Sequence, residues 1–207
     1  MKIILQHLAK RFNYEWIFRD LNHEFKDGNA YAITGPNGSG KSTLLKIISG
    51  QLTPSEGTIN YSDNNSEINV NDIFQHVSYS APYIDLIDDF TLKEYLEFHF
   101  SFKKIINNHT IDQLLEISGL NKHKNKSLKS FSSGMKQRAK LTSAILSETH
   151  ILLLDEPTTN LDKEGVEWYL NLIQQNLKNR VVIVGSNMER EYGFCKEVVD
   201  ISGYKIK

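Results

Sequence analysis

The chain is poor in cysteine, in proline and in long apolar runs, and these shortages exclude several classes of protein. Its single cysteine, Cys195, excludes an intrachain disulfide framework among the 207 residues and is typical of a reduced, cytosolic setting. The four prolines all fall between periodic segments, where a missing N–H does least harm. No apolar run approaches the ~20 residues that cross a bilayer, and the N-terminus turns polar too soon for a signal peptide. We therefore expect neither export nor a membrane span, so that a role at a membrane would come through a partner protein.

An excess of charge of one sign is also missing. The chain has 24 Lys and Arg against 25 Asp and Glu, a formal net charge of −1, so no global positive field supports nucleic-acid binding. The lysine-rich stretch NKHKNKSLKS (residues 121–130) has no aromatic residue among its lysines. This pattern favours a solvated turn over a nucleic-acid patch. We expect no nucleic-acid partner.

What the sequence does contain is an alternation of short apolar segments with helical patterns. KIILQHL and LNHEF near the N-terminus alternate like strands, and YAIT (residues 31–34) is typical of a buried strand followed by a helix. ILLL (151–154) and VVIV (181–184) predict two further buried strands. Strands that alternate with helices in this way predict an α/β fold with a largely parallel core sheet.

Helix-start signals cluster in the middle of the chain. TLKE (residues 91–94) and TIDQ (110–113) each have the Thr and Glu or Gln spacing of a capping box. A later segment predicts an amphipathic helix, with an apolar face formed by Val166, Tyr169, Leu170, Ile173 and Leu177. We therefore expect a helical insertion, followed by a return to the sheet.

GPNGSGKST (residues 35–43) matches the phosphate-loop pattern G-x-x-x-x-G-K-[ST] between a predicted strand and a predicted helix. Glycines let successive N–H groups converge on an anion, and the helix N-terminus adds partial positive charge. Lys41 is predicted to reach the β- and γ-phosphates, and the Ser42 hydroxyl to bind Mg²⁺. The other predicted nucleotide contacts are Gly35, Pro36, Asn37, Gly38, Ser39, Gly40 and Thr43. The alternative is an ordinary glycine-rich turn, which nine residues in register disfavour.

In ILLLDEP (residues 151–157), a predicted buried strand is followed directly by two carboxylates. Open α/β sheets place their ligands at this end of the strands. Asp155 is predicted to bind Mg²⁺ through water, and Glu156 to orient or deprotonate the attacking water.

A predicted helix begins within the stretch FSSGM (residues 131–135). Three cationic residues follow directly in this helix: Lys136, Arg138 and Lys140. In order and spacing, it and the two motifs above resemble the ATP-binding cassette (ABC) family, whose signature reads LSGGQ. LTPSEGTI (52–59), FTLKEYL (90–96) and TTNLD (158–162) extend the resemblance over nearly the whole chain. The resemblance implies a P-loop NTPase cassette with an antiparallel β subdomain beside the core sheet. It also implies one nucleotide-binding domain over residues 1–207, with a helical subdomain inserted at about 88–145.

The resemblance also implies how nucleotide is bound. Two cassettes of the family face head to tail, as a homodimer or a heterodimer, and sandwich two ATP molecules. Ser132, Ser133 and Gly134 would then contact, in trans, the γ-phosphate held by the other phosphate loop, where a helix dipole favours negative charge. Read alone, the stretch would be a helix cap. Phe12 fits the spacing of the adenine platform, with Tyr14 and Trp16 as alternatives.

Two positions depart from the family pattern. Pro82 falls where a glutamine senses Mg²⁺ and water, and Ser186 stands at the catalytic position of a histidine that contacts the γ-phosphate. Three interpretations follow: slow hydrolysis with Glu156 as base; replacement of a missing group by Asn187 or a carboxylate such as Asp85; or one degenerate half of a heterodimer. The intact phosphate loop and strand-end carboxylates favour the first two together.

The function implied is a Mg²⁺-dependent ATPase subunit that powers a separate membrane permease of an ABC transporter. The length of a bare cassette favours a small exporter-like type, cytoplasmic and held at the inner face of the cell membrane by the permease. A soluble ABC ATPase in assembly is one alternative. A nucleotide-binding switch with little turnover is another.

Overall fold

The computed structural model describes residues 1–64 and 66–205. The strands are β1 (Lys2–Phe12), β2 (Glu15–Lys26), β3 (Ala30–Thr34), β4 (Glu56–Asp63), β5 (Ser66–Ile68), β6 (Val77–Ser80), β7 (Ile151–Asp155), β8 (Val181–Gly185) and β9 (Glu197–Asp200). The α-helices are α1 (Lys41–Ile48), α2 (Leu92–Phe102), α3 (Ile111–Ile117), α4 (Ser133–Ile145), α5 (Lys163–Gln175) and α6 (Glu189–Tyr192). Short 3₁₀ turns connect several of them. By their contacts the residues form two compact units.

The first unit contains Met1–Tyr79, His150–Glu156 and the described chain from Leu177 onwards. It holds two sheets: an antiparallel one in the order β2-β1-β4-β5, and one in the order β6-β7-β8-β3-β9. In the second sheet β3 pairs in parallel with β8 and β9, and β7 pairs in parallel with β8. The predicted α/β architecture with a largely parallel core sheet and an antiparallel β part is confirmed.

The three central strands of the parallel sheet are buried almost throughout. All residues of β7 and β8 are buried, as are the first four of β3, which is why these strands read as continuous apolar runs. Their register pairs both Ile33 and Asp155 with Gly185. The loops that follow β3, β7 and β8 therefore start at one edge of the sheet, and this edge carries the site.

The second unit contains Ser80–Thr149 and Pro157–Asn176 and is largely helical. Both predicted capping boxes are confirmed: Thr91 with Glu94 begins α2, and Thr110 with Gln113 begins α3. One prediction about α5 was partly wrong. Leu172 is buried, whereas Leu170 and Leu177 are only half-buried. The buried face is rotated about the helix axis from the predicted one, and Leu177 lies beyond the end of the helix at Gln175; the buried residues are Gly165, Val166, Tyr169, Leu172 and Ile173.

Within the described residues, no helix is both long enough and apolar enough to span a membrane. The domain boundaries expected from the sequence, 1–207 with a helical part at about 88–145, stay a prediction. The second unit, as its contacts define it, also takes in the α5 segment.

Candidate functional site

The phosphate loop (residues 35–43) joins β3 to α1 and lines an open cavity of about 300 Å³. Residues 37, 38 and 40–43 form its wall together with Ile17 and Glu156. Gly40 caps α1 with φ 107°, a conformation that side chains disfavour. An added Cβ there would lie 2.5 Å from Cγ2 of Ile17. Glycine at position 40 is therefore needed both for the backbone conformation and for the close approach of β2.

Lys41 is held at the loop by its own motif. Its Nζ donates to the carbonyl of Gly35 at 2.7 Å and to that of Pro36 at 3.3 Å. The residue is 5% exposed. An ammonium group has three donors, so two backbone contacts leave a third N–H for an anion in the cavity. The third N–H is the donor that the predicted contact between Lys41 and phosphate requires.

The two strand-end carboxylates have different surroundings. Asp155 is 1% exposed at the end of β7. Glu156 lines the cavity, has φ 43°, and its N–H donates to the carbonyl of Gly185 at 2.9 Å. A non-glycine residue with such a φ is uncommon and is often found at functional sites. The Ser42 hydroxyl, which also lines the cavity, and the Asp155 carboxylate are hard oxygen donors of the kind that Mg²⁺ prefers.

The turn after β8 places its two polar side chains differently. Ser186 is 1% exposed, and its Oγ accepts from the N–H of Met188 at 2.9 Å. Asn187 is exposed, and its Oδ1 accepts from the N–H of Gly35 at 3.0 Å. Of the two, it is therefore Asn187 whose side chain contacts the phosphate loop, while the hydroxyl of Ser186 is engaged within its own turn.

In the second unit, the segment at residues 131–135 forms the start of α4. Ser132 is the N-cap, and its Oγ accepts from the N–H of Met135 at 3.2 Å. Ser133 is exposed as the first residue of the helix. A Cβ at Gly134 would lie 2.9 Å from the carbonyl oxygen of Asn160, so glycine at this position permits a close backbone approach. The helix cap is thus formed, and the predicted contact in trans stays a prediction.

A model of the ABC transporter family matches residues 18–159, which is more than half of the chain. The chain belongs to the ABC transporter family. An uncharacterized ABC transporter ATP-binding protein of Bacillus subtilis, YcbN, is 29% identical to it over 167 residues. That match covers 81% of this chain and 54% of the relative, so the chain spans about half the length of YcbN. The family predicted from the motifs is confirmed.

Solved structures support the same cassette fold. A putative ABC transporter ATP-binding protein from Pyrococcus furiosus superposes with a TM-score of 0.83 at 23% identity, covering 100% of both chains. The ATP-binding cassette MJ0796, in a dimeric post-hydrolysis state bound to ADP and Pi, superposes with a TM-score of 0.82 at 22% identity. This match covers 97% of this chain and 95% of MJ0796. At these identities the likeness establishes the fold of the cassette.

Pro82 lies in a segment that α4 holds by two lysines. Lys140 Nζ donates to the carbonyls of Ala81 at 3.1 Å and Pro82 at 3.2 Å. Lys136 Nζ lies 2.6 Å from Oδ1 of Asp88. Burial lowers the pKa of Lys140. The lysines after the cassette's signature segment therefore bind residues 81–88 of their own unit, a role that the sequence did not reveal.

The adenine platform remains a prediction. Phe12 is 48% exposed at the end of β1, and the Nζ of Lys10 lies 5.1 Å from its ring centre. Trp16 has the guanidinium carbon of Arg19 at 4.3 Å from its ring centre and that of Arg11 at 5.3 Å. Both rings are thus in contact with cations, and Phe12 stays the predicted platform, with Tyr14 and Trp16 as alternatives. Ile17, which lines the cavity, is aliphatic, and the expectation of an aromatic platform did not indicate it.

Proposed function

We propose that this cassette binds Mg²⁺-ATP at the phosphate loop and hydrolyses it with Glu156 as the base. One observation carries the proposal: Glu156 lines the same cavity as Lys41 and the loop residues 37, 38 and 40–43. A carboxylate beside a phosphate cradle is the group that orients or deprotonates an attacking water.

Different groups of the chain would bind the phosphates, hold Mg²⁺ and position the base. The N–H groups of the loop and the N-terminus of α1 bind phosphate oxygens, and Lys41 adds a point charge. Ser42 and Asp155 would hold Mg²⁺, which would neutralise charge on the phosphates. The contact from Glu156 N–H to the carbonyl of Gly185 fixes the backbone of the base.

A second cassette completes the site in this proposal, because the Ser132–Gly134 segment would act in trans on the nucleotide of its partner. The dimeric state of MJ0796, a cassette of the same fold, supports a dimer. The energy of hydrolysis would power a separate permease, with the cassette peripheral to the inner face of the membrane. The exporter-like type, and a single domain over 1–207 with its helical part at about 88–145, belong to the same proposal.

Slow turnover is expected. The histidine position holds Ser186, whose hydroxyl accepts from Met188 within its own turn. Removing one preorganised donor to the transition state lowers turnover by ~10²–10³.

Two variants test the proposal by nucleotide binding and phosphate release. Lys41→Ala removes the charge on the phosphates, so ATP affinity should fall at least tenfold, or about 1.4 kcal/mol. Glu156→Gln keeps the shape of the base without its basicity, so ATP should still bind while phosphate release falls by ~10²–10⁴. Size exclusion of Glu156→Gln with Mg²⁺-ATP should show a persistent dimer. Unchanged ATP affinity in Lys41→Ala, or wild-type turnover in Glu156→Gln, would refute the assigned roles.

A further inference from the structure

The first residue of the phosphate loop is bound at both of its polar backbone groups. The N–H of Gly35 donates to Oδ1 of Asn187 at 3.0 Å, and its carbonyl accepts from Lys41 at 2.7 Å. We propose that Asn187 is a positioning residue that fixes the start of the phosphate loop and, through Gly35, the anchor of Lys41. This inference rests on the nucleotide binding proposed above.

Gly35 needs such a restraint because its own conformation is unusual. Its φ is 138°, which L side chains rarely adopt, and an added Cβ would lie 2.7 Å from Oγ of Ser39. Glycine populates many backbone conformations and loses more freedom than any other residue when one of them is fixed. A side chain that accepts from its N–H selects one conformation and thereby sets the direction in which the loop leaves β3.

The turn after β8 is built to present Asn187. The N–H of Ser186 donates to the carbonyl of Ile33 at 3.0 Å, and its Oγ accepts from the N–H of Met188 at 2.9 Å. Both bonds hold the backbone on either side of Asn187 in place. Ser186 therefore supports the turn, and Asn187 provides the contact with the phosphate loop.

The backbone of the proposed catalytic base is held by a different contact, with the last residue of β8. Glu156 N–H donates to the backbone carbonyl of Gly185, a contact that no change of the Asn187 side chain removes. Loss of the Asn187 side chain should therefore weaken nucleotide binding and raise KM, while kcat at saturating ATP stays near the wild-type value. If Asn187 instead contacted the γ-phosphate directly, loss of its side chain should lower kcat, and it should weaken the binding of ATP but not that of ADP.

The test measures the affinities for Mg²⁺-ADP and Mg²⁺-ATP by calorimetry, together with KM and kcat for phosphate release. Asn187→Leu removes the acceptor, and both affinities should fall by the same factor, about threefold to tenfold for one hydrogen bond. Asn187→Asp keeps an acceptor for Gly35 N–H but cannot donate to phosphate. Because its carboxylate also repels the nucleotide, it is compared with Asn187→Leu at about 1 M salt, where charges are screened, and there it should bind better than Asn187→Leu. Asn60→Leu, the same change at an exposed position of β4, is the matched control and should equal the wild type.

The outcomes separate the two proposals. A wild-type chain that binds neither nucleotide overturns the proposed function and this inference together. Wild-type binding with Asn187→Leu indistinguishable from Asn60→Leu overturns the inference alone. A loss confined to ATP, with Asn187→Asp no better than Asn187→Leu, also overturns it, since that pattern indicates donation to the γ-phosphate. Thermal unfolding of each variant checks that the chain remains folded.

Discussion

The phosphate loop and the segment at residues 81–88 both follow the end of a buried strand, yet they are held in different ways. The phosphate loop is held largely by its own motif: Gly40 adopts a left-handed conformation and Lys41 binds two carbonyls within the loop. The segment 81–88 is held from outside, by Lys136 and Lys140 of α4. The sequence predicts a complete family motif in the first region and a departure from the family pattern, at Pro82, in the second.

This difference explains the three cations that follow the signature segment. Lys136 and Lys140 lie one helical turn apart and bind residues 81–88, and Arg138 lies with its guanidinium carbon 5.1 Å from the ring centre of Trp168. All these contacts lie within the second unit. A run of cations beside a helix N-terminus therefore has a structural role here, in addition to any effect on phosphate.

The largest expected effect comes from a side chain at Gly40, a left-handed residue of the phosphate loop. Gly40→Ala puts a Cβ 2.5 Å from Ile17 and 3.2 Å from Phe18 at φ 107°. Backbone strain of about 1–2 kcal/mol and overpacking of about 1–3 kcal/mol should together lower the free energy of unfolding, measured by urea denaturation. Gly38→Ala is the control, because φ there is 78° but no atom lies within 4 Å of an added Cβ. Equal losses in the two variants would mean that packing against β2 contributes nothing.

A smaller effect is expected at the turn after β8, where Ser186 stands at the position predicted for the family's histidine. Ser186→His should lower the free energy of unfolding by about 1–3 kcal/mol, because the site is 1% exposed and an imidazole overpacks it. It should not raise phosphate release, since displacing the turn also displaces Asn187 from Gly35. Ser186→Ala, which loses the contact with Met188 N–H, should cost about 0.5–1.5 kcal/mol. Faster hydrolysis in Ser186→His without loss of stability would show that the turn admits a histidine.

The sequence predicted the contacts between residues that are close in the chain, and it did not predict those between distant residues. The phosphate loop and the capping boxes at Thr91 and Thr110 were predicted, because their partners lie within a few residues in the chain. The contact between Asn187 and Gly35 joins residues 152 apart, and that between Lys140 and Ala81 joins residues 59 apart. Local periodicity carries no information on such pairs, although the predicted departures from the family pattern at Pro82 and Ser186 marked both places as unusual.

In the segment 81–88, the contacts of Lys140 should matter more than those of its neighbour on α4. Lys140→Met keeps the length of the side chain and removes the donors to Ala81 and Pro82. The free energy of unfolding should fall by about 1 kcal/mol, the net contribution of a typical hydrogen bond, and amide exchange within 81–88 should accelerate. Lys122→Met, at an exposed lysine of the same unit, serves as the control. Unchanged exchange in Lys140→Met would mean that the segment is ordered without the contacts of Lys140.

The smallest effect is expected for Lys136 and Asp88, although their 2.6 Å separation is the shorter contact. Their side chains are 31% and 52% exposed, and exposed pairs contribute only about 0.2–1 kcal/mol. A double-mutant cycle of Lys136→Met and Asp88→Asn should give a coupling energy in that range. The coupling should shrink at about 1 M salt, where screening acts within ~3 Å, whereas the loss in Lys140→Met should persist because its acceptors are neutral carbonyls. A coupling energy above this range that resists salt would place Lys136, rather than Lys140, as the main restraint on residues 81–88.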